Sequence, residues 1–176
     1  GHVQRSGVLE VPMGTPLRTI VETMGGSAPP GRRIKAVQTG GPSGGCVPAS
    51  ALDTPVDYDS LKALGTIMGS GGMVVLDDTT NMVDLAAFFI AFSREESCGK
   101  CIPCRSGTVQ LEMLLRKLLE RRGNAADLSQ LESLCHTVAD ASLCGLGQSA
   151  PKPVLSTLRH FRRDYLELLQ PAEVAR

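Results

Sequence analysis

The chain has 176 residues, with 18 Lys and Arg against 18 Asp and Glu, so its formal net charge is zero. That length holds one or two modest domains with a real core. A neutral chain lacks the basic excess that nucleic acid requires, aromatic residues at 3% with no Trp offer no stacking surface for single strands, and the longest apolar run, Leu85 to Phe92, falls far short of the ~20 residues that cross a bilayer.

Neither nucleic acid nor direct membrane insertion is therefore expected. No basic stretch followed by an apolar one opens the chain, so no signal peptide is read, and the expected location is cytoplasmic. The chain begins at Gly1, which suggests a portion of something longer.

In chain order, Gly7-Val8-Leu9-Glu10-Val11 reads as a strand ended by Pro12-Met13-Gly14. Thr15 before Pro16 reads as a helix start, with Leu17, Ile20, Val21 and Met24 at helical spacing and Gly25-Gly26 as the stop. Arg33 to Gln38 alternates like a half-buried strand. Strand, helix and strand in so few residues suggest a β-grasp-like module over residues 1–50. The glycine loop Thr39 to Pro48 lacks the Gly-Lys-Ser/Thr ending of a phosphate loop and the helix that a dinucleotide loop opens; tight turns explain it. Residues 51–80 read as linker and junction, with a short helix from Tyr58 and an apolar strand at 72–76.

From Asn81 the pattern is helical. Asn81 caps a helix from Met82 whose face is apolar almost all round, as in a buried helix. Val109 to Leu119, Leu128 to Val138 and Val154 to Leu169 mark three more. The fold class expected is α+β: a small β-grasp module, then a four-helix domain over residues 81–176.

Six cysteines are present: Cys46, Cys98, Cys101, Cys104, Cys135 and Cys144. In a reducing compartment they point to metal or catalysis rather than disulfides. The triplet Cys98-x-x-Cys101-x-x-Cys104 lets three thiolates wrap one centre. Structural zinc usually takes two separated pairs, whereas a [4Fe–4S] cluster takes four cysteines. Iron–sulfur is the first reading, with zinc and an unmetallated triplet as alternatives. The fourth ligand must be remote. Cys135 falls on an apolar helical stripe and reads as a small hydrophobe; Cys144, among the glycines of Leu143-Cys144-Gly145-Leu146-Gly147, reads as the ligand. Cys46 reads as structural. Lys100 and Arg105 are placed to offset cluster charge or to stand exposed at a helix start.

Glu96-Ser97-Cys98-Gly99-Lys100-Cys101-Ile102-Pro103-Cys104-Arg105 with Leu143-Cys144-Gly145-Leu146-Gly147 closely resembles the flavoprotein subunit of NADH dehydrogenases, the 51 kDa subunit of complex I. Residues 7–17 resemble the start of that family's soluble-ligand-binding β-grasp domain, and residues 68–77 its junction with the helical cluster domain. The wording of 38–46 and 144–151 is most similar to the diaphorase subunits of NAD-reducing hydrogenases and NAD-linked formate dehydrogenases. The resemblance implies an NAD(P)H-linked oxidoreductase in which FMN takes a hydride and a [4Fe–4S] cluster passes single electrons to iron–sulfur partner subunits. It makes Cys98, Cys101, Cys104 and Cys144 the cluster ligands and sets Gly145 and Leu146 near the flavin. The family's FMN and NAD(H) sites lie in an N-terminal α/β domain whose glycine-rich loop has no counterpart in this sequence, so the chain alone is expected to be inactive as a dehydrogenase. The competing function is a binding or assembly module in which the cluster only braces the helices.

Overall fold

In the computed structural model, which describes residues 1–170, the chain divides into two units, Gly1–Thr80 and the residues from Asn81 onward. In the first, β1 (Ile34–Thr39) and β2 (Gly45–Pro48) form an antiparallel hairpin. Strand β3 (Met73–Asp77) pairs antiparallel with the other edge of β1, giving the order β2-β1-β3. The hairpin turns through Gly40, whose φ of 73° is left-handed and where a Cβ would stand 2.6 Å from the Ile67 carbonyl oxygen. The glycine loop read over Thr39 to Pro48 is a tight turn only up to Gly44; Gly45–Pro48 is corrected to strand β2, because it finds a backbone partner in β1.

Central strand β1 buries two polar side chains, and both are satisfied, as burial demands. Gln38 Nε2 donates to the Gly41 carbonyl at 2.8 Å and its Oε1 accepts from Cys46 Sγ at 3.0 Å. Thr39 Oγ1 pairs with Thr66 Oγ1 at 2.7 Å. The helical segment after Pro16 forms, with a π-helical stretch over Thr19–Met24. It sets Leu17 and Val21 into a core with Val37, Val47, Leu52 and Leu61. Helix α1 (Tyr58–Ala63) starts on Asp57, whose carboxylate accepts from the Ser60 amide.

Residues 7–11 differ from expectation, for they form no strand, and Val8 is 99% exposed. Alternation supplies a face, but a strand also needs a backbone partner. Backbone pairing stops at Arg5, whose amide donates to Gly25 O, and resumes past Pro12: the Gly14 amide donates to Val56 O, Val56 N to Thr15 O, and Leu17 N to Thr54 O.

The second unit is helical. Helix α2 (Met82–Glu95) starts on Asn81, whose side chain accepts from the Val83 and Asp84 amides. Helix α3 (Ile102–Leu119) follows, then α4 (Ala125–Ala141), opened by a reciprocal capping box between Asn124 and Asp127. Three short helices complete it: α5 (Gly145–Ser149), α6 (Lys152–His160) and α7 (Arg162–Leu166). The core joins Ile90 of α2, Leu111 and Leu115 of α3, Leu131 of α4, Val154 of α6 and Tyr165 of α7.

Two helical expectations are corrected. Helix α2 is not buried all round: Met82, Val83, Ala86 and Ile90 are buried, but Phe88 is 66% exposed and Phe92 43%. The last stretch is two helices, broken at Phe161 (φ −133°, ψ 36°). The break lets Tyr165 fold back, fully buried, so that its hydroxyl pairs with Thr157 Oγ1 at 2.7 Å.

Helices α2 and α3 are clamped by Glu112. Its carboxylate is nearly buried and bridges Arg94 Nη1 at 2.7 Å and Arg116 Nη2 at 2.6 Å. Losing one partner of such a buried ion costs far more than an exposed pair is worth. Helices α3 and α4 meet closely at Gly107, where a Cβ would lie 2.3 Å from Val138 Cγ2. Gly107→Ala gains up to ~1 kcal/mol of helix propensity but overpacks a stiff neighbour, at about 1–3 kcal/mol. Net destabilisation is expected, read as a lower urea midpoint with an unchanged slope.

Candidate metal centre

Helix α2 ends at Glu95 and releases the chain into a short loop that carries Ser97 and Cys98. Gly99 then takes a φ of 74°, a turn that a side chain resists. Arg105 Nη1 reaches back to the Gly99 carbonyl at 2.9 Å and ties this loop to α3. Cys101 is the N-cap residue of α3, with Pro103 in the first turn, where its fixed φ suits a helix start. Cys104 sits on that same first turn and is buried. The triplet is therefore a loop residue, a cap residue and a helix residue, rather than one continuous loop.

The other contributor arrives forty residues later. Helix α4 ends at Ala141, and Cys144 is the N-cap residue of α5. Cys98, Cys101, Cys104 and Cys144 together line one cavity of about 100 Å³, with Ser97, Lys100 and Leu146 also on its wall. That is several times the ~10–15 Å³ that admits one water. Among the described residues, no three His, Cys, Asp or Glu side chains converge closely enough to hold a single ion; the cysteines bound a volume.

The remaining cysteines lie in cores. Cys135 is fully buried beside Leu131 and Val138, and burial, with a contribution from Glu132, pushes its thiol up to about 12. Burial pushes Cys46 up to about 12 as well. Cys101 moves the opposite way. The Leu143 backbone favours its thiolate most and the Cys104 backbone next; burial opposes them, and the Cys101 backbone and the Ser142 hydroxyl add the smallest contributions. Backbone donors aimed at a sulfur are what a metal-bound thiolate requires.

Gly145 and Gly147 lie in the first turn of α5. Gly145 faces open space, whereas a Cβ on Gly147 would stand 2.4 Å from Ser142 Oγ and 3.0 Å from Cys104 Cβ. Gly147 is thus the residue that lets the Cys144 segment close on the triplet. Lys100 lines the cavity, while Arg105 is spent on the Gly99 carbonyl.

Two hydroxyls that carry no signal by themselves also belong here. Ser97 Oγ lies 3.3 Å from Cys104 Sγ and accepts from the Gly99 amide at 3.3 Å, which leaves its own hydrogen for the sulfur. Ser142 Oγ is buried without a hydrogen-bond partner. Four soft sulfur donors, a cavity wider than one ion, backbone donors aimed at a sulfur and an orphaned hydroxyl fit an iron–sulfur cluster.

Comparison with known proteins agrees. Residues 84–168 match the NADH-ubiquinone oxidoreductase-F iron-sulfur binding region. The chain is 48% identical to the HndC subunit of the NADP-reducing hydrogenase of Solidesulfovibrio fructosivorans, over 94% of this chain and 34% of that protein. It is 43% identical to an NADH-quinone oxidoreductase subunit of Rhizobium meliloti, over 94% of this chain and 39% of the relative. A crystal structure of an NAD+-reducing [NiFe]-hydrogenase in the H2-reduced state superposes with a TM-score of 0.86 at 32% identity, covering 98% of this chain and 28% of that one. The chain thus spans about a third of the length of these relatives.

Cysteine accessibility gives a direct check. Alkylation of the metal-free native chain at pH 8, mapped by peptide mass spectrometry, is expected to modify Cys98, Cys101 and Cys144 and to leave Cys46 and Cys135 unmodified. The two buried thiols also set an alkaline limit. Their folded values exceed the unfolded value of 9.0, so the unfolded chain releases these protons first as pH rises. Their stabilisation is complete below pH 9 and declines from there toward 12, and Cys135→Ala should flatten the fall of the urea midpoint between pH 9 and 11.

Proposed function

Residues 84–168 belong to the iron–sulfur binding region family of NADH-ubiquinone oxidoreductase-F, and from that premise we propose that this chain holds a [4Fe–4S] cluster on Cys98, Cys101, Cys104 and Cys144. The carrying observation is that two segments forty residues apart bring these four cysteines, and neither of the other two, to one cavity. A cluster bound there would supply one-electron transfer, since four cysteine ligands leave no open position for Lewis-acid chemistry.

The chain's own residues hold and tune that charge. The Leu143 and Cys104 backbone lower the thiol of Cys101 below its ordinary value, toward the thiolate a metal requires. Ser97 directs its hydroxyl at Cys104. Lys100 brings positive charge to a wall that also carries Glu96, so the two side chains place opposite charges around the thiolates. The cavity is also shallow: Cys98 and Cys144 are exposed, as are Leu143 and Ile102 beside them. An exposed rim with an apolar border suits electron exchange with a partner surface.

The wider reading follows the relatives, whose names mark them as subunits of NADH-quinone oxidoreductase and of hydrogenase. We read the chain as the electron-carrying part of an NAD(P)H-linked diaphorase subunit. FMN and NAD(H) belong to an N-terminal domain outside these residues, and Gly145 and Leu146 lie on the flavin side of the cluster. Iron–sulfur partner subunits take the electrons onward. The first unit, with its three-stranded sheet and packed helical segment, is read as the soluble-ligand-binding β-grasp module. The second is read as the helical cluster domain.

Anaerobic reconstitution of the full chain should give about four iron and four acid-labile sulfide per chain, and dithionite should bleach the visible absorption and produce an EPR signal. Cys144→Ser should lose most of the iron, while Cys135→Ala should retain it at lower stability. A chain that holds zinc without sulfide, or one in which Cys135 rather than Cys144 is essential, would overturn the assignment.

A further inference from the structure

Among the described residues, three buried side-chain polar atoms lack a hydrogen-bond partner: Thr80 Oγ1, His160 Nε2 and Ser142 Oγ. Ser142 Oγ lies behind the cavity wall, beside Cys101. It would lie 2.4 Å from a Cβ on Gly147, and that same position is 3.0 Å from Cys104 Cβ. Ser142 therefore occupies the narrow space between the Cys144 segment and the first turn of α3.

The fold gives no structural task to this hydroxyl. Ser142 closes α4, but its backbone does so. Its amide donates to Val138 O at 3.2 Å and its carbonyl accepts from Gln148 Nε2 at 3.0 Å. The crowding against Gly147 and Cys104 demands a small side chain, and alanine would meet that demand with no polar atom to bury. A buried hydroxyl with no partner is disfavoured, and each such group in a native fold calls for an explanation. Its one polar neighbour is the sulfur of Cys101, whose thiolate the hydroxyl favours only weakly. A thiol is a weak acceptor, whereas a metal-bound thiolate or an inorganic sulfide is negatively charged and accepts more strongly.

We propose that the Ser142 hydroxyl donates a hydrogen bond to a sulfur of the bound cluster and so raises its reduction potential. The inference rests on the cluster assignment above. Its physical basis is charge: reduction adds an electron to an already negative centre, and a donor aimed at sulfur favours the more negative state. Ser142 is a positioning and tuning residue, and no bond to it forms or breaks. It is the counterpart, on the remote segment, of Ser97 on the triplet side.

The test uses the full chain, reconstituted anaerobically, with the midpoint potential read by EPR-monitored titration. Ser142→Ala should retain iron and sulfide and shift the reduction equilibrium about tenfold toward the oxidised cluster, ~59 mV lower for a one-electron couple. Gly147→Ala, whose methyl group pushes on the hydroxyl, should shift it in the same direction and carries the test if Ser142→Ala does not load. The second readout is deuterium coupling in pulsed EPR after transfer to D2O. Because the Ser97 hydroxyl also faces a cluster sulfur, the comparison is made in the Ser97→Ala background: that chain should still show a rapidly exchanging deuteron at the reduced cluster, and Ser97→Ala with Ser142→Ala should lose it.

Unchanged potentials in the loaded variants, or no such deuteron in the Ser97→Ala chain, would overturn the inference and leave the cluster assignment standing. An unsubstituted chain without iron and sulfide would instead defeat the cluster assignment itself.

Discussion

Everything at the candidate centre depends on a matched pair of helices. Helix α3 carries Cys104 on its first turn and runs 18 residues away, about 27 Å at 1.5 Å per residue. Helix α4 returns over 17 residues, about 26 Å. The chain thus comes back to the level at which it left, and Cys144 meets the triplet. The match has to be held in close contact as well as in length, and Gly107 against Val138 sets the spacing near the end where the cysteines lie. At the far end the capping box of Asn124 and Asp127 fixes where α4 starts. A turn gained or lost in either helix would move Cys144 by ~5 Å and out of the cavity.

The same geometry must bear a local excess of negative charge. Four thiolates in one place repel, and each element around them answers part of that cost. Backbone groups of Leu143 and Cys104 favour the Cys101 thiolate. Lys100 lies on the wall. Ser97 faces Cys104, and Ser142 stands between the two segments. Glu112 shows the opposite solution for a buried charge. It lies away from the cavity, pinned by Arg94 and Arg116, and it fixes the end of α2 against α3. That clamp sets the point at which the chain enters the Ser97–Cys98 loop.

Much of this was legible in the residues. The Asn81 cap, a strand read over 33–38 and found at 34–39, and the turn at Gly40 follow from local chemistry. Local signals also misled. Residues 7–11 alternate like a strand but have no backbone to pair with, and the apolar run of α2 exposes Phe88 and Phe92. Periodicity reports what a segment offers, and burial depends on what comes to meet it. The break at Phe161 follows the same rule, for it serves the pairing of Tyr165 with Thr157, a contact that no window of sequence contains.

By itself the sequence determined the donors. Thiolates at two-residue intervals, with one more among glycines downstream, specify sulfur chemistry because coordination depends on atom type and short-range spacing. The tertiary structure alone decided which side chains share that space. It gave Gly147 its need to be small and buried the hydroxyl of Ser142 between the two segments, with no oxygen or nitrogen partner. The reason is physical: convergence of segments forty residues apart is fixed by helix length and close packing, and these act across the fold rather than along the chain.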